Sequence, residues 1–385
     1  MLPDTVQGLF DWLVDGAPGG PTPMAVIARI GADLRTGGVP VERISAFVRT
    51  LHPSFVGRGF FWEPGQEVQV RENPWSGLQT EEFKQSASAK VQAEACEVRV
   101  RLFRETSTYS GLDGLTREGF TDYLMTPLKF MGGSTHSISF ATKAPGGFSD
   151  EQAGWIRAIV RPLSRVAETF ALMRTAVNLL NTYVGRDAGD RILKGNIQRG
   201  DTESIRCVIW FSDLRGFTSM SGQHTPTEII AMLNTVFDCQ VPHIETNGGE
   251  VLKFMGDGML AIFPITDTVK AAASGAAKAA RDAFSSLDAL NLTRAKTNQP
   301  GLRFGVALHV GDVAYGNIGG AGRLDFTAIG PAVNLASRIE GLTGKLEKRV
   351  LLSAALAAAS DFPTRSVGRF ELKGVAGEQE VFELA

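Results

Sequence analysis

The stretches FSDLRGFT (211–218) and VLKFMGDGMLAIF (251–263) decide how this chain folds. An apolar, β-prone run, Val208–Ser212, leads into the first, so Asp213 falls at the end of a strand. In the second, Asp257 occupies a Gly-Asp-Gly turn between two apolar runs, the pattern of a β-hairpin. Hard divalent cations take such carboxylates and share them with substrate phosphates. Either aspartate alone reads as an ordinary turn residue; the pair, each at a strand end, favours the metal reading. Outward from these, strand and helix alternate. A strand over 205–211 precedes Thr225-Pro226-Thr227-Glu228, which supplies an N-cap, a first-turn proline and a capping-box glutamate. The helix that follows turns Ile229, Ile230, Leu233, Val236, Phe237, Val241 and Ile244 inward and stops at Asn247-Gly248-Gly249. After the hairpin come an alanine-rich helix over 267–290, strands RFGVALHVG (303–311) and RLDFTAI (323–329), and a helix from Pro331. This succession predicts an α+β sandwich related to the ferredoxin-like βαββαβ pattern.

With 385 residues the chain has room for two domains, each with its own core. Apolar content of 43% and charged content of 21% describe an ordinary globular protein. A net charge of −2 gives no basic surface for nucleic acid or an anionic membrane. No apolar run is long enough to span a bilayer. The start, MLPDTVQGLFDWLVDG, carries three aspartates and no basic segment, so it is a poor signal peptide. Cys96, Cys207 and Cys239 are too few and too scattered for a disulfide framework or a zinc site. A cytoplasmic location is expected.

Residues 1–150 read as one unit. Helices at Thr5–Val14 and Met24–Arg35 lead into strands at 43–51, 54–62, 96–103, 122–130 and 136–144, with clear alternation at Ile44, Ala46 and Val48. Ser149 and Gln152 make a capping box for a new helix. The order helix, antiparallel strands, closing helix, with the GFSDEQ exit, resembles the small-molecule-sensing GAF-like domains. That resemblance implies an unknown small-molecule effector; an α+β dimerisation module without a ligand is the other reading. Over 151–200, Ile156, Ile159, Leu163, Val166, Phe170, Met173, Val177, Leu180 and Val184 alternate spacings of three and four, the seam of a dimerising coiled coil. A helix packed on its own domain would show a broader stripe, and Ala167, Leu172 and Leu179 do widen this one. Pro162 falls inside it, where a proline kinks or restarts a helix. A polar, glycine-punctuated segment then leads to residues 201–385.

FSDLRGFT, KFMGDG and DFTAIGPAVNLASRIE together resemble the class III nucleotidyl cyclases. The resemblance implies that Asp213 and Asp257 ligate two Mg2+ or Mn2+ ions, joined at one by the Leu214 carbonyl. It also implies that the turn containing Gly216, Phe217 and Thr218 cradles the triphosphate through backbone N–H groups. Asn334 and Arg338, four apart, project from one helical face. As an isolated pair they would be a solvated polar face. By resemblance Asn334 orients the ribose, and Arg338 stabilises charge on the α-phosphate as the 3′-oxygen attacks. Lys373, in ELKG, matches a late phosphate-contacting lysine. Pro331 stands where the family usually has an acidic residue, and proline suits that first helical position.

Lys253 and Thr327 match the family's two purine-selecting positions. A lysine is donor-only, so it fits adenine N1 and opposes the N1–H of guanine, and the Thr327 hydroxyl can accept from the adenine 6-amino group. ATP is therefore the expected substrate, converted to 3′,5′-cyclic AMP and pyrophosphate. In the family the aspartates and the lysine–threonine–asparagine–arginine set come from two catalytic domains. One copy of each set per chain implies a homodimer with two equivalent sites. A guanylate cyclase, or a degenerate cyclase fold that binds nucleotide and regulates by dimerising, are the alternatives.

Overall fold

The computed structural model describes residues 1–104 and 107–384, which form two compact units, Met1–Leu179 and Leu180–Ala385. The first unit runs α1 (Asp4–Val14), α2 (Pro23–Thr36), β1 (Arg43–Arg49), β2 (Phe55–Trp62) and β3 (Gln69–Pro74). It continues with α3 (Glu81–Lys84), α4 (Ala87–Glu94), β4 (Val98–Val100), α5 (Leu112–Arg117), β5 (Asp122–Lys129), β6 (Thr135–Thr142) and α6 (Asp150–Val184), whose last residues, 180–184, belong to the second unit. The strands form one antiparallel sheet in the order β3-β2-β1-β6-β5-β4. Ile44 and Ala46 alternate inward against Ile30, Leu34, Phe140 and Ile156, so α1, α2 and the first half of α6 cover one face. Val91, Val98, Tyr123 and Met125 hold α4 and α5 on the other. β3 and α4 escape the sequence reading because β3 is polar and mostly exposed and α4 buries little beyond Ala87 and Val91.

The helix that opens at Ser149 has the capping box its sequence predicts: Gln152 N–H donates to Ser149 Oγ at 3.1 Å and Ser149 N–H to Gln152 Oε1 at 2.9 Å. It stays helical through Pro162. The three-four stripe divides in use. Ile156, Ile159, Leu163 and Val166 are core of their own unit, whereas Met173 is exposed and Val177, Leu180 and Val184 are half-buried. The first half of the stripe is thus a domain-packing face, and the compact unit runs past the boundary at 150 to Leu179.

The second unit begins with α7 (Arg186–Leu193), β7 (Thr202–Leu214), α8 (Phe217–Ser221), α9 (Pro226–Asp238), α10 (Val241–Thr246), β8 (Glu250–Met255) and β9 (Gly258–Pro264). It continues with α11 (Val269–Lys296), β10 (Phe304–Gly320), β11 (Arg323–Ile329), α12 (Pro331–Lys345), β12 (Val350–Ser353), α13 (Ala354–Ala359), β13 (Thr364–Glu371) and β14 (Glu378–Leu384). The sheet order is β13-β14-β12-β10-β7-β9-β8, with β11 on the far end of the long β10. β10 and β12 pair in parallel and every other pair is antiparallel, as suits an α+β sheet.

β7 reads as a continuous apolar run because both its faces are covered. Val208 and Trp210 face α9–α11, while Cys207 and Ile209 join Ala332 and Ala336 of α12 on the other side. Six alanines of α11, Ala273 to Ala283, are almost wholly buried and let that helix lie close to the sheet. The single helix expected over 226–246 is two. Pro242 sits in the first turn of α10, and its missing N–H and its ring bulk end α9 at Asp238.

Candidate active site

Asp213 stands one residue from the end of β7, in register with Gly258 of β9 on one side and Gly305 of β10 on the other. Two glycine neighbours leave its carboxyl room at the sheet end. A Cβ on Gly258 would fall 3.0 Å from the Ser212 carbonyl oxygen and 3.2 Å from Asp213 Oδ1, so the hairpin approaches this closely only with glycine there. The β8–β9 turn carries Asp257 to the same point, and Leu214 N–H donates to the Asp257 carbonyl at 3.3 Å. Burial, then the charge of Asp257 and a hydrogen bond to its side chain, push the Asp213 carboxyl up to about 6. Among the described residues no third Asp, Glu, His or Cys joins the pair.

Beyond Leu214 the chain reverses at Gly216, whose φ of +75° is the left-handed region glycine tolerates, and enters α8. Arg215 fastens this turn: its N–H donates to the Arg303 carbonyl at 2.8 Å, and its guanidinium donates to the Lys348 carbonyl at 2.7 Å. Glu340 of α12 faces that guanidinium and accepts from the Thr343 hydroxyl at 2.9 Å. Burial pushes the Glu340 carboxyl up to about 7. Asp213, Leu214, Gly216, Phe217, Thr218 and Asp257 all line one cavity of about 770 Å³.

Lys253, Thr327, Asn334, Arg338 and Lys373 do not line that cavity. α12 buries Ala332, Ala336 and Ile339 against the sheet, which turns Asn334 and Arg338 out to solvent. Lys253, on β8, donates to Asp325 Oδ2 of β11 at 3.0 Å. Two residues on along β11, the Thr327 hydroxyl is buried without a hydrogen-bond partner among the described residues. Lys373 is exposed in the β13–β14 turn, after the buried Leu372. The predicted residues thus fall into two sets within the unit. Asp325 and Glu340 were missed by sequence reasoning. The spacing of two between Asp325 and Thr327 on a strand, which puts both on one face, was the available signal for the first.

The family model for the adenylate and guanylate cyclase catalytic domain matches residues 201–385. Relatives include an adenylate cyclase of Anabaena cylindrica, 37% identical over 42% of this chain and 32% of its own length. Adenylate cyclase 1 of Rhizobium meliloti is 30% identical over 45% of this chain and 26% of its own length. The crystal structure of the guanylyl cyclase Cya2 is 28% identical over 48% of this chain and 93% of that one, with a TM-score of 0.43. The alignments span a third or less of these two curated relatives. Residues 201–385 belong to the class III adenylate and guanylate cyclase catalytic domain family.

Proposed function

We propose that the chain is an adenylate cyclase whose catalytic site is completed between two copies. The observation that carries the reading is the pair Asp213–Asp257, brought together at a strand end beside a glycine turn in a domain of the cyclase family. An Asp213 carboxyl that holds its proton up to about pH 6 beside Asp257 suits a divalent cation, which takes the place of that proton. Asp213 and Asp257 would hold Mg2+ or Mn2+, two ions per site, with the Leu214 carbonyl. Such ions lower the pKa of an attacking hydroxyl and neutralise a leaving pyrophosphate.

The chain's own groups do the rest. Backbone N–H groups of the Gly216–Thr218 turn bind triphosphate oxygens, and Arg215 keeps that turn seated through the Lys348 carbonyl. Lys253, held by Asp325, donates to adenine N1; the unpartnered Thr327 hydroxyl accepts from the 6-amino group. Guanine would leave Lys253 facing a donor, a mismatch that buried polar sites discriminate strongly. The names of the Anabaena and Rhizobium relatives support the same base. Asn334 orients the ribose, Arg338 stabilises the α-phosphate as the 3′-oxygen attacks in line, and Lys373 contacts phosphate. Since these three project away from the aspartate cavity, a second copy supplies them, and a C2 homodimer has two such sites.

The N-terminal unit acts as a GAF-like sensory domain. Its support is a polar cavity of about 640 Å³ on the sheet face that carries Ser45, Tyr123, Ser137 and Ser139, a fit for a small polar effector. Incubating the purified chain with ATP or GTP and Mg2+ or Mn2+ tests the reading. Cyclic AMP from ATP is the expected product. Comparable cyclic GMP from GTP would overturn the base assignment, and no product from either would overturn the activity.

A further inference from the structure

A second cavity, of about 460 Å³, lies on the opposite face of the N-terminal sheet, between α2, the strands and α6. Its deep wall is apolar: Ile27, Phe60, Leu128, Ile138, Leu163 and Val166. Polar groups gather at one end. Ala46 and Val48, on one face of β1, and Thr50, just past its end, line this part of the cavity, and Arg58 is the register partner of Val48. Opposite them, Asn178 of α6 donates to the Leu51 carbonyl at 3.2 Å, which brings Arg174, one turn earlier, over the same strand end.

Three properties of that end define a ligand. The Thr50 hydroxyl is buried and has no hydrogen-bond partner among the described residues. Arg58 pairs with Glu72 at 2.7 Å, whereas Arg174 makes no ion pair among the described residues. Burial and the neighbouring Arg58 both lower the Arg174 pKa, and the charge of Glu72 opposes this only in part. His52 faces the same arginines; burial, chiefly, pushes its imidazole toward the neutral form, so it adds little charge. The end is therefore cationic, with a spare hydroxyl, and the rest is apolar. From Leu163 to Arg174 the α6 wall runs about 16 Å, the length of an extended chain of roughly a dozen carbons.

We propose that this cavity binds a single-chain anionic amphiphile, an acyl carboxylate, with its tail against Leu163, Leu128 and Ile138 and its head at Thr50, Arg58 and Arg174. The ligand completes the hydrogen bonding of Thr50 and the charge of Arg174, and it extends the apolar cover of α6 beyond Phe170 to the exposed Met173 and the half-buried Val177. Half of the three-four stripe thereby acquires a purpose other than a seam.

Titration calorimetry of dodecanoate into the full chain, below micelle-forming concentrations, tests this, with dodecanol as the uncharged arm. One dodecanoate per chain is expected to saturate, and more tightly than dodecanol. Arg174→Glu should weaken dodecanoate about tenfold and leave dodecanol unchanged. Ala171→Trp, which fills the cavity, should abolish both, with circular dichroism as the folding control and Val177→Trp at the rim as a second filling variant. Lack of saturable binding, equal affinity before and after Arg174→Glu, or full binding to a folded filling variant would each overturn the proposal. So would a dimer that Ala171→Trp dissociates in the absence of dodecanoate binding, since a second copy would then cover the cavity. Because binding is read without turnover, its failure is distinct from failure of the cyclase reading.

Discussion

Replacing Asp257 by asparagine should make the metal-free protein more stable at pH 8 while removing its activity. The carboxyl of Asp213 rises from an ordinary 3.8 to about 6, so in the folded protein it holds a proton more tightly than in the unfolded chain. Its contribution to stability is therefore present below about pH 4 and is lost as pH rises through about 6. Unscreened, that rise is worth about 3 kcal/mol. Burial is its largest cause and survives the substitution, and the partly solvated site screens what remains. About 1 kcal/mol is left for the charge of Asp257, or roughly 2–4 °C in Tm for a domain of this size. Scanning calorimetry in EDTA, following the transition that Mg2+ displaces, should show that gain at pH 8 and none at pH 4. In saturating Mg2+ the order should reverse, because the wild type alone keeps both ligands. A variant no more stable at pH 8, or equally stabilised at both pH values, would refute the idea that two crowded carboxyls await a cation.

Gly31→Ala should destabilise the N-terminal unit by about 1–3 kcal/mol, since the new methyl carbon would lie 2.4 Å from the buried Trp62 ring; calorimetry reads it, and cyclase residues are untouched. Lys253→Ala should raise the KM for ATP and erode preference over GTP by about tenfold or more, read from kcat/KM for each nucleotide. Asp325→Asn should move the same ratio in the same direction by less, because it loosens Lys253 without removing the donor.

The catalytic fold was largely legible because its elements carry local signals. The Thr225–Glu228 capping box forms as its spacing predicts, and RLDFTAI is β11 from end to end. Asp213 and Asp257 were legible as strand-end and turn residues, but their mutual contact is set by register, which joins Asp213 to Gly258 across β7 and β9. Asp325 and Glu340 stayed hidden for a related reason. Each is one polar residue among several until a partner distant in sequence, Lys253 or Arg215, is placed beside it. The stripe in α6 shows the limit of periodicity. Spacings of three and four describe an apolar face without saying what covers it, and here Ile156 to Val166 are covered by their own sheet.

The sharing of one site by two copies is tested most directly by mixing two inactive chains, Asp257→Ala and Arg338→Ala. In a mixed dimer one of the two sites keeps both residues. Activity should return on mixing, to about a quarter of the wild-type rate if subunits exchange freely and the sites act independently. If the two residues served a site within one chain, the mixture would stay as inactive as its components, and the account of a site assembled between copies would be contradicted.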